Sequence, residues 1–259
     1  MKIVVIGDLH GNIFALDSIP KGDQLIIVGD FLTDFYQYTQ EMIERIKKLQ
    51  AEGAIIVSGN REREILAQHR GELGTLYNDY KQFGSNLKTY ERLSEEDLKW
   101  ISEIPDKVDI ELDGNRFFVT HGDLKFDIDP DVDYVLNGHA HNRNLVEDEN
   151  GTVNVRPGTA GGIATGKDIL KPGEASYAII DSDGEVEVEF KIANYDFGQL
   201  EPDGSLWLDL TIASMTENIN YVNKVLYHMI DKCAEDDEAI PNVIWEQYEN
   251  GNWRKEIEK

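Results

Sequence analysis

Gly7-Asp8-Leu9-His10-Gly11-Asn12 follows directly on an apolar run, Ile3-Val4-Val5-Ile6. The run is short, rich in β-branched residues and stops at a glycine, so it reads as a buried strand. Residues two apart in an extended chain point to the same side. The Asp8 carboxylate and the His10 imidazole can therefore converge on one point just past the strand's end. A carboxylate and an imidazole aimed at one point form a metal-ligand pair. The same residues also suit a plain strand-to-helix turn, where Asp, Gly and Asn are common for conformational reasons. The hexapeptide alone leaves both readings open.

Working outward, the pattern repeats. Ile13, Leu16 and Ile19 have helical spacing, and Pro20 closes that element. Gln24 to Val28 is a second apolar run, ending in Gly29-Asp30. Residues 37–52 carry Met42, Ile43, Ile46 and Leu49 as a helical stripe, with Gly53 as the stop. Ala54 to Val57 is a third run, ending in Ser58-Gly59-Asn60. The first sixty residues thus predict β-α-β-α-β, a parallel sheet with crossover helices. Ligands of such sheets bind at the carboxyl ends of the strands, where Asp8, Asp30 and Asn60 fall.

Residues 61–105 are polar and helix-prone and read as a helical insertion beside the site. Ser94-Glu95-Glu96-Asp97 has the form of a capping box before Leu98, Trp100, Ile101 and Ile104. Val108–Leu112 and Arg116–Thr120 around Asp113-Gly114 predict a hairpin. Its second strand runs into His121-Gly122-Asp123. Tyr134–Leu136 leads into Asn137-Gly138-His139-Ala140-His141, and Thr152–Arg156 leads into Pro157-Gly158-Thr159. Ser176–Ile180 and Glu185–Ile192 predict a further hairpin around Asp183-Gly184. From about Asn194 the character shifts. Residues 206–212 suit a strand, 215–233 a helix, and 235–238 form an acidic run that suits a solvated turn. Trp245, Tyr248 and Trp253 suit packing back on the body or a partner surface.

The chain has 259 residues and a net charge of −25, and residues 1–194 and 195–259 share the acidic excess. No basic cluster offsets it, which argues against long nucleic acid as a partner. No run of about 18 apolar residues suggests a membrane span, and the amino terminus lacks the form of a signal peptide. The lone Cys233 excludes an internal disulfide framework and a thiolate metal cluster, and a cytoplasmic location is expected.

Asp8, His10, Asp30, Asn60, His121, His139 and His141 all lie within a few residues of a predicted strand end. Four of the 6 histidines fall in that set. His69 and His228 lie in predicted helices and read as structural. The blocks GDLHGN (7–12), GD (29–30), GN (59–60), HGD (121–123) and GHAH (138–141) occur in the order of the calcineurin-like metallophosphoesterases, which the chain resembles over residues 1–193. The compact GHAH, followed by Pro157-Gly158-Thr159, looks most like the YfcE-type phosphodiesterases. Leu93 to Pro105 looks more like the serine/threonine phosphatase and bis-nucleoside tetraphosphatase branch.

The resemblance implies an α/β (α+β) fold, a four-layer αββα sandwich with mixed sheets, with residues 194–259 as a C-terminal extension. It implies a two-metal site. Asp8, His10 and His141 would hold one ion, Asn60, His121 and His139 the other, and Asp30 would bridge. Donors of this kind, without thiolate, suit manganese as the first expectation, with iron, nickel, cobalt or zinc as the others. Two such ions can clamp the attacking and leaving oxygens of a phosphoryl displacement. The expected activity is metal-dependent hydrolysis of a phosphomonoester or phosphodiester. The expected partner is a small phosphoester or a nucleotide, and self-association is compatible with the sequence. A non-catalytic scaffold on the same fold, or a nuclease, is the alternative.

One position departs from the family pattern. Gly59-Asn60 is followed by Arg61, where the family commonly has a histidine taken as proton donor to the leaving group. Arginine does not give up its proton near neutral pH, but it can grip phosphate oxygens and offset charge. The other reading of Arg61 is an ion pair at the helix start with Glu62 or Glu64. Arg143 and Arg156 are further candidates for phosphate contact, or for structural ion pairs with nearby carboxylates. Gly158–Gly162 is glycine-rich but lacks the lysine-serine pattern of a phosphate-binding loop.

Overall fold

A computed structural model describes residues 1–72, 85–161, 170–171, 173–182 and 186–200. The expected elements at 206–212, 215–233 and 235–238, the aromatic residues near the end, His228 and the Asp183-Gly184 turn lie outside these described residues.

Two five-stranded mixed sheets lie face to face. The first contains β1 (Lys2–Ile6), β2 (Gln24–Ile27), β3 (Ile55–Ile56), β9 (Glu174–Asp181) and β10 (Glu187–Asn194), in the order β10-β9-β1-β2-β3. β1, β2 and β3 run parallel, as the β-α-β-α-β reading requires, while β9 and β10 are antiparallel neighbours. The second contains β4 (Lys107–Leu112), β5 (Asn115–Thr120), β6 (Tyr134–Leu136), β7 (Arg143–Glu147) and β8 (Val153–Pro157), in the order β4-β5-β6-β8-β7. β5, β6 and β8 are parallel, with antiparallel edges on both sides.

The apolar runs of β1 and β2 are continuous because both faces are buried, the rule for parallel sheets. Ile3 and Val5 point into the intersheet core with Ile26, Val28, Phe117, Val119, Leu136 and Val155. Val4 and Ile6 point the other way, onto the helices. Full burial of each such side chain contributes about 1.5–3 kcal/mol. The helix layer is α1 (Ile13–Ser18), α2 (Thr39–Ala51), α3 (Asn60–His69), α4 (Ser85–Tyr90) and α5 (Glu95–Ser102). Met42, Ile43, Ile46 and Leu49 of α2 are buried as their spacing predicts. Gly53 follows α2 at φ +100, the left-handed conformation expected of a glycine stop. The capping box of α5 is realised. Ser94 Oγ accepts from Asp97 N at 3.1 Å, and the Asp97 carboxylate accepts from Ser94 N at 3.1 Å.

The described helices cover the first sheet. On the outer face of the second, Phe118, Val132 and Val135 cluster with Phe126 of the 124–132 segment, and the Lys107 ammonium lies over both rings. β7 has no counterpart in the sequence reading. It is an edge strand with no buried residue on either face, so it carries no period-two pattern to read. Pro157 is tolerated in β8 because the parallel ladder to β6 ends at Val155.

Candidate metal centre

Five of the seven ligand candidates are non-glycine residues with positive φ: Asp8 (54°), His10 (49°), Asp30 (51°), His139 (68°) and His141 (55°). Left-handed backbone at such residues costs about 1–2 kcal/mol each and persists where surrounding structure imposes it. Here the imposing contacts are hydrogen bonds between strand ends. Asp8 N–H donates to Gly29 O, His10 N–H to Asp30 O, and Gly138 N–H to His121 O, at 3.1, 2.9 and 2.8 Å. The turns after β1, β2, β3, β5 and β6 thereby bring polar side chains into the same space. Gly59 permits a close approach, since a Cβ there would sit 2.1 Å from Asp30 Oδ1.

All seven candidates come together. His141 Nε2 lies 3.0 Å from His10 Nε2 and 3.4 Å from Asp8 Oδ1. His121 Nε2 lies 3.4 Å from Asp30 Oδ2 and 3.1 Å from Asn60 Oδ1, and His139 Nδ1 lies 3.1 Å from the same Asn60 oxygen. Among the described residues, two groupings have donor geometry for a cation: Asp8, His10 and His141, and Asp8, Asp30 and His121. The first is the triad expected from sequence. The second draws in Asp8 beside Asp30, while His139 meets Asn60 at its margin.

The donors around each ligand fix its orientation. His121 Nδ1–H donates to Val28 O at 2.7 Å, which leaves the Nε2 lone pair facing Asp30 and Asn60. His10 Nδ1 faces Thr33 Oγ1 at 3.4 Å and Asp34 Oδ2 at 3.5 Å, so its Nε2 is turned toward His141. Lone pairs aimed at lone pairs repel unless a proton or a cation lies between. Asp8 Oδ2 is buried and has no hydrogen-bond partner, a costly state for a carboxylate oxygen. Nitrogen and oxygen donors facing one another around an orphaned buried carboxylate oxygen fit divalent cations.

The proton affinities report the same crowding. Burial pushes Asp8 up to about 6, against the pull of His121 and His10. Burial also lowers His10. At Asp30, burial is outweighed by the hydrogen bond and charge of His121, and the carboxyl lies below its usual range. At His121, burial is outweighed by Asp30 and the imidazole rises to about 9.

The sequence offers Glu62, the third residue of α3, only as a partner for Arg61, and the structure corrects this. Glu62 is fully buried and does not pair with Arg61. Its Oε2 accepts from Asp30 N (2.9 Å) and Gly59 N (2.8 Å), and its Oε1 from Phe31 N (3.1 Å) and Leu32 N (3.0 Å). A glutamate three residues after the Gly59 cap is the signal that could have found it. Burial and the Asp30 charge raise its pKa to about 7, against the Gly59 and Leu32 N–H donors and the His121 charge.

Arg61 instead makes the other expected pair, with Glu64 at 3.1 Å, and its backbone N–H donates to Asp30 Oδ1 at 2.9 Å. Its Nε is buried without a partner. Glu64 also accepts from Asn86, and from Asn60 Nδ2 at 3.3 Å, which turns the Asn60 oxygen toward His121 and His139. Asp34, Glu64 and Asn86 carried no sequence signal as supports of the ligands.

Arg143 opens β7 opposite Pro157. Arg156 does not make the expected ion pair: among the described residues it pairs with no carboxylate and bonds two asparagines, Asn137 and Asn142, each at 2.9 Å. His69 lies on α3 beside Tyr90, outside the cluster, as its structural reading requires. No described helix is long and apolar enough to cross a membrane.

Residues 1–185 match the model of the calcineurin-like phosphoesterase superfamily domain. No curated protein is detectably similar in sequence. Among solved structures, the chain is similar to a metallophosphoesterase from Sphaerobacter thermophilus, with 19% identity over 87% of this chain and 99% of that one and a TM-score of 0.56. It is also similar to a hypothetical protein from Pyrococcus horikoshii OT3, with 16% identity over 86% and 97% and a TM-score of 0.61. At these identities the likeness establishes the shared sandwich of two mixed sheets.

Proposed function

The chain belongs to the calcineurin-like phosphoesterase superfamily, and from that premise we propose that it is a dinuclear-metal phosphoesterase acting on a small phosphomonoester, phosphodiester or nucleotide. The observation that carries this reading is the convergence of Asp8, His10 and His141, and of Asp8, Asp30 and His121, around a buried carboxylate oxygen with no partner. Asp8, His10, Asp30, Asn60, His121, His139 and His141 would hold the ions, manganese being the first choice. When bound, two divalent ions supply Lewis acidity toward phosphoryl oxygens and make water acidic enough to attack near neutral pH.

The chain's own residues supply the rest. Glu62 ties the Asp30 and Asn60 turns together through their backbone, and Glu64 orients Asn60. Arg61, at the first turn of α3 and beside Asp30, grips phosphate oxygens and offsets their charge. It does not protonate the leaving group, because a guanidinium keeps its proton. The net charge of −25 disfavours long nucleic acid and suits a small anion held by cations inside the site.

Metal-stripped protein titrated with Mn²⁺ and assayed on p-nitrophenyl phosphate and its bis ester tests the proposal. Metal-dependent turnover supports it. Stoichiometric metal uptake with no turnover on any phosphoester would replace it with a non-catalytic scaffold, and cleavage of long DNA with a nuclease.

A further inference from the structure

We propose that Arg156 is a positioning residue that clamps both ends of the 137–142 loop and so presents His139 and His141 to the metals. The inference rests on the reading of these histidines as ligands. Both have left-handed backbone, and both lie at the surface of the site, with His139 exposed and His141 19% exposed in its side chain. Side-chain burial therefore does little to hold them. The loop begins at Asn137, whose N–H donates to Val155 O at 3.0 Å, and continues through Gly138 N–H to His121 O at 2.8 Å and His139 N–H to Asp8 Oδ1 at 3.1 Å.

Arg156 closes this loop from β8. Its Nε donates to Asn137 Oδ1 and its Nη1 to Asn142 Oδ1, each at 2.9 Å, so one planar guanidinium spans the loop's two ends. Arg156 makes no ion pair with a carboxylate among the described residues, although the Asp8 charge acts on it. Its donors are given instead to the two neutral carboxamides that bracket Gly138-His139-Ala140-His141. A lysine has no rigid fork and cannot hold both acceptors in that geometry.

The test uses the full chain with Arg156→Ala, Arg156→Lys and Asn142→Ala, each first shown folded by circular dichroism. Hydrogen exchange of the metal-free protein reads the clamp directly, and calorimetric titration with Mn²⁺ reads its consequence. Loss of a group that orients metal ligands typically weakens metal binding 10–100-fold. The expected result is faster exchange confined to residues 138–142 and a Mn²⁺ affinity lower by about 10–100-fold in Arg156→Ala. Arg156→Lys gives no rescue, and Arg156→Ala with Asn142→Ala is no worse than Arg156→Ala alone. Unchanged exchange in the loop overturns the clamp. So does a raised KM for p-nitrophenyl phosphate with exchange and Mn²⁺ affinity at wild-type values, which would make Arg156 a substrate contact. Faster loop exchange in a protein whose wild type takes up no metal supports the clamp and overturns the metal reading instead.

Discussion

Glu62→Gln, which changes one atom of a fully buried side chain, tests the frame of the site. Four backbone N–H groups, from Asp30, Phe31, Leu32 and Gly59, end on its two carboxylate oxygens, two on each. An ionised carboxylate accepts at both oxygens, whereas an amide accepts at one and presents an NH₂ at the other. Whichever way the substituted amide turns, two of the four backbone donors meet a donor. Each buried donor that loses its acceptor costs about 1–3 kcal/mol. The expected destabilisation is therefore about 2–6 kcal/mol, a large share of the typical 5–15 kcal/mol of a folded domain. Urea unfolding of the metal-free protein, followed by circular dichroism, measures this apart from any ligand effect. Glu62→Ala sharpens the test, since the space it opens lets water reach the donors and offset part of the loss. A Glu62→Gln variant within about 0.5 kcal/mol of wild type, the range of an inconsequential surface change, would refute the reasoning.

Two further outcomes are expected. Arg61→His restores a group able to protonate a leaving oxygen, and general-acid help is typically worth about 10²–10⁴-fold. Its rate on a simple alkyl phosphate should rise by at least about tenfold with little change on p-nitrophenyl phosphate, and equal gains on both would show that the leaving group does not need the proton. At α5, burial of Asp97 is outweighed by Lys47 and Ser94, and its carboxyl falls to about 2. A lowered carboxyl pKa stabilises the fold above the unfolded value of 3.8 and loses that contribution as pH falls through about 2. Ser94→Ala should cost about 1 kcal/mol at pH 6, and its gap to wild type should narrow by pH 2 in urea midpoints; a gap that widens on acidification contradicts the assignment.

Much of the site was legible along the chain because its ligands follow a local rule. A strand buried on both faces shows as an unbroken apolar run, and the polar residues after it mark the carboxyl end of a parallel sheet. That is how Asp8, Asp30, Asn60, His121, His139 and His141 stood out. The groups that support them were not legible for an equally physical reason. Asp34 reaches His10, and Asn86 reaches Glu64, across separations that carry no spacing signal. Arg156 could be read only as a phosphate contact or an ion-pair partner, because the two asparagines it bonds are brought in by the pairing of β6, β7 and β8.

By itself, the sequence determined the strands other than β7, their ends and the chemical kinds gathered there, since hydrophobic period and turn chemistry are short-range properties. It also determined what Arg61 cannot do, because a guanidinium holds its proton in any fold. The tertiary structure decided which oxygen of Asp8 is left without a partner, which glutamate serves the backbone and which pairs with Arg61, and what closes the loop around His139 and His141. The first of these depends on the packing of two sheets that sets His139 N–H against Asp8 across 131 residues of chain. Contacts at that range form only when both sheets bury their shared face, and no local pattern encodes them.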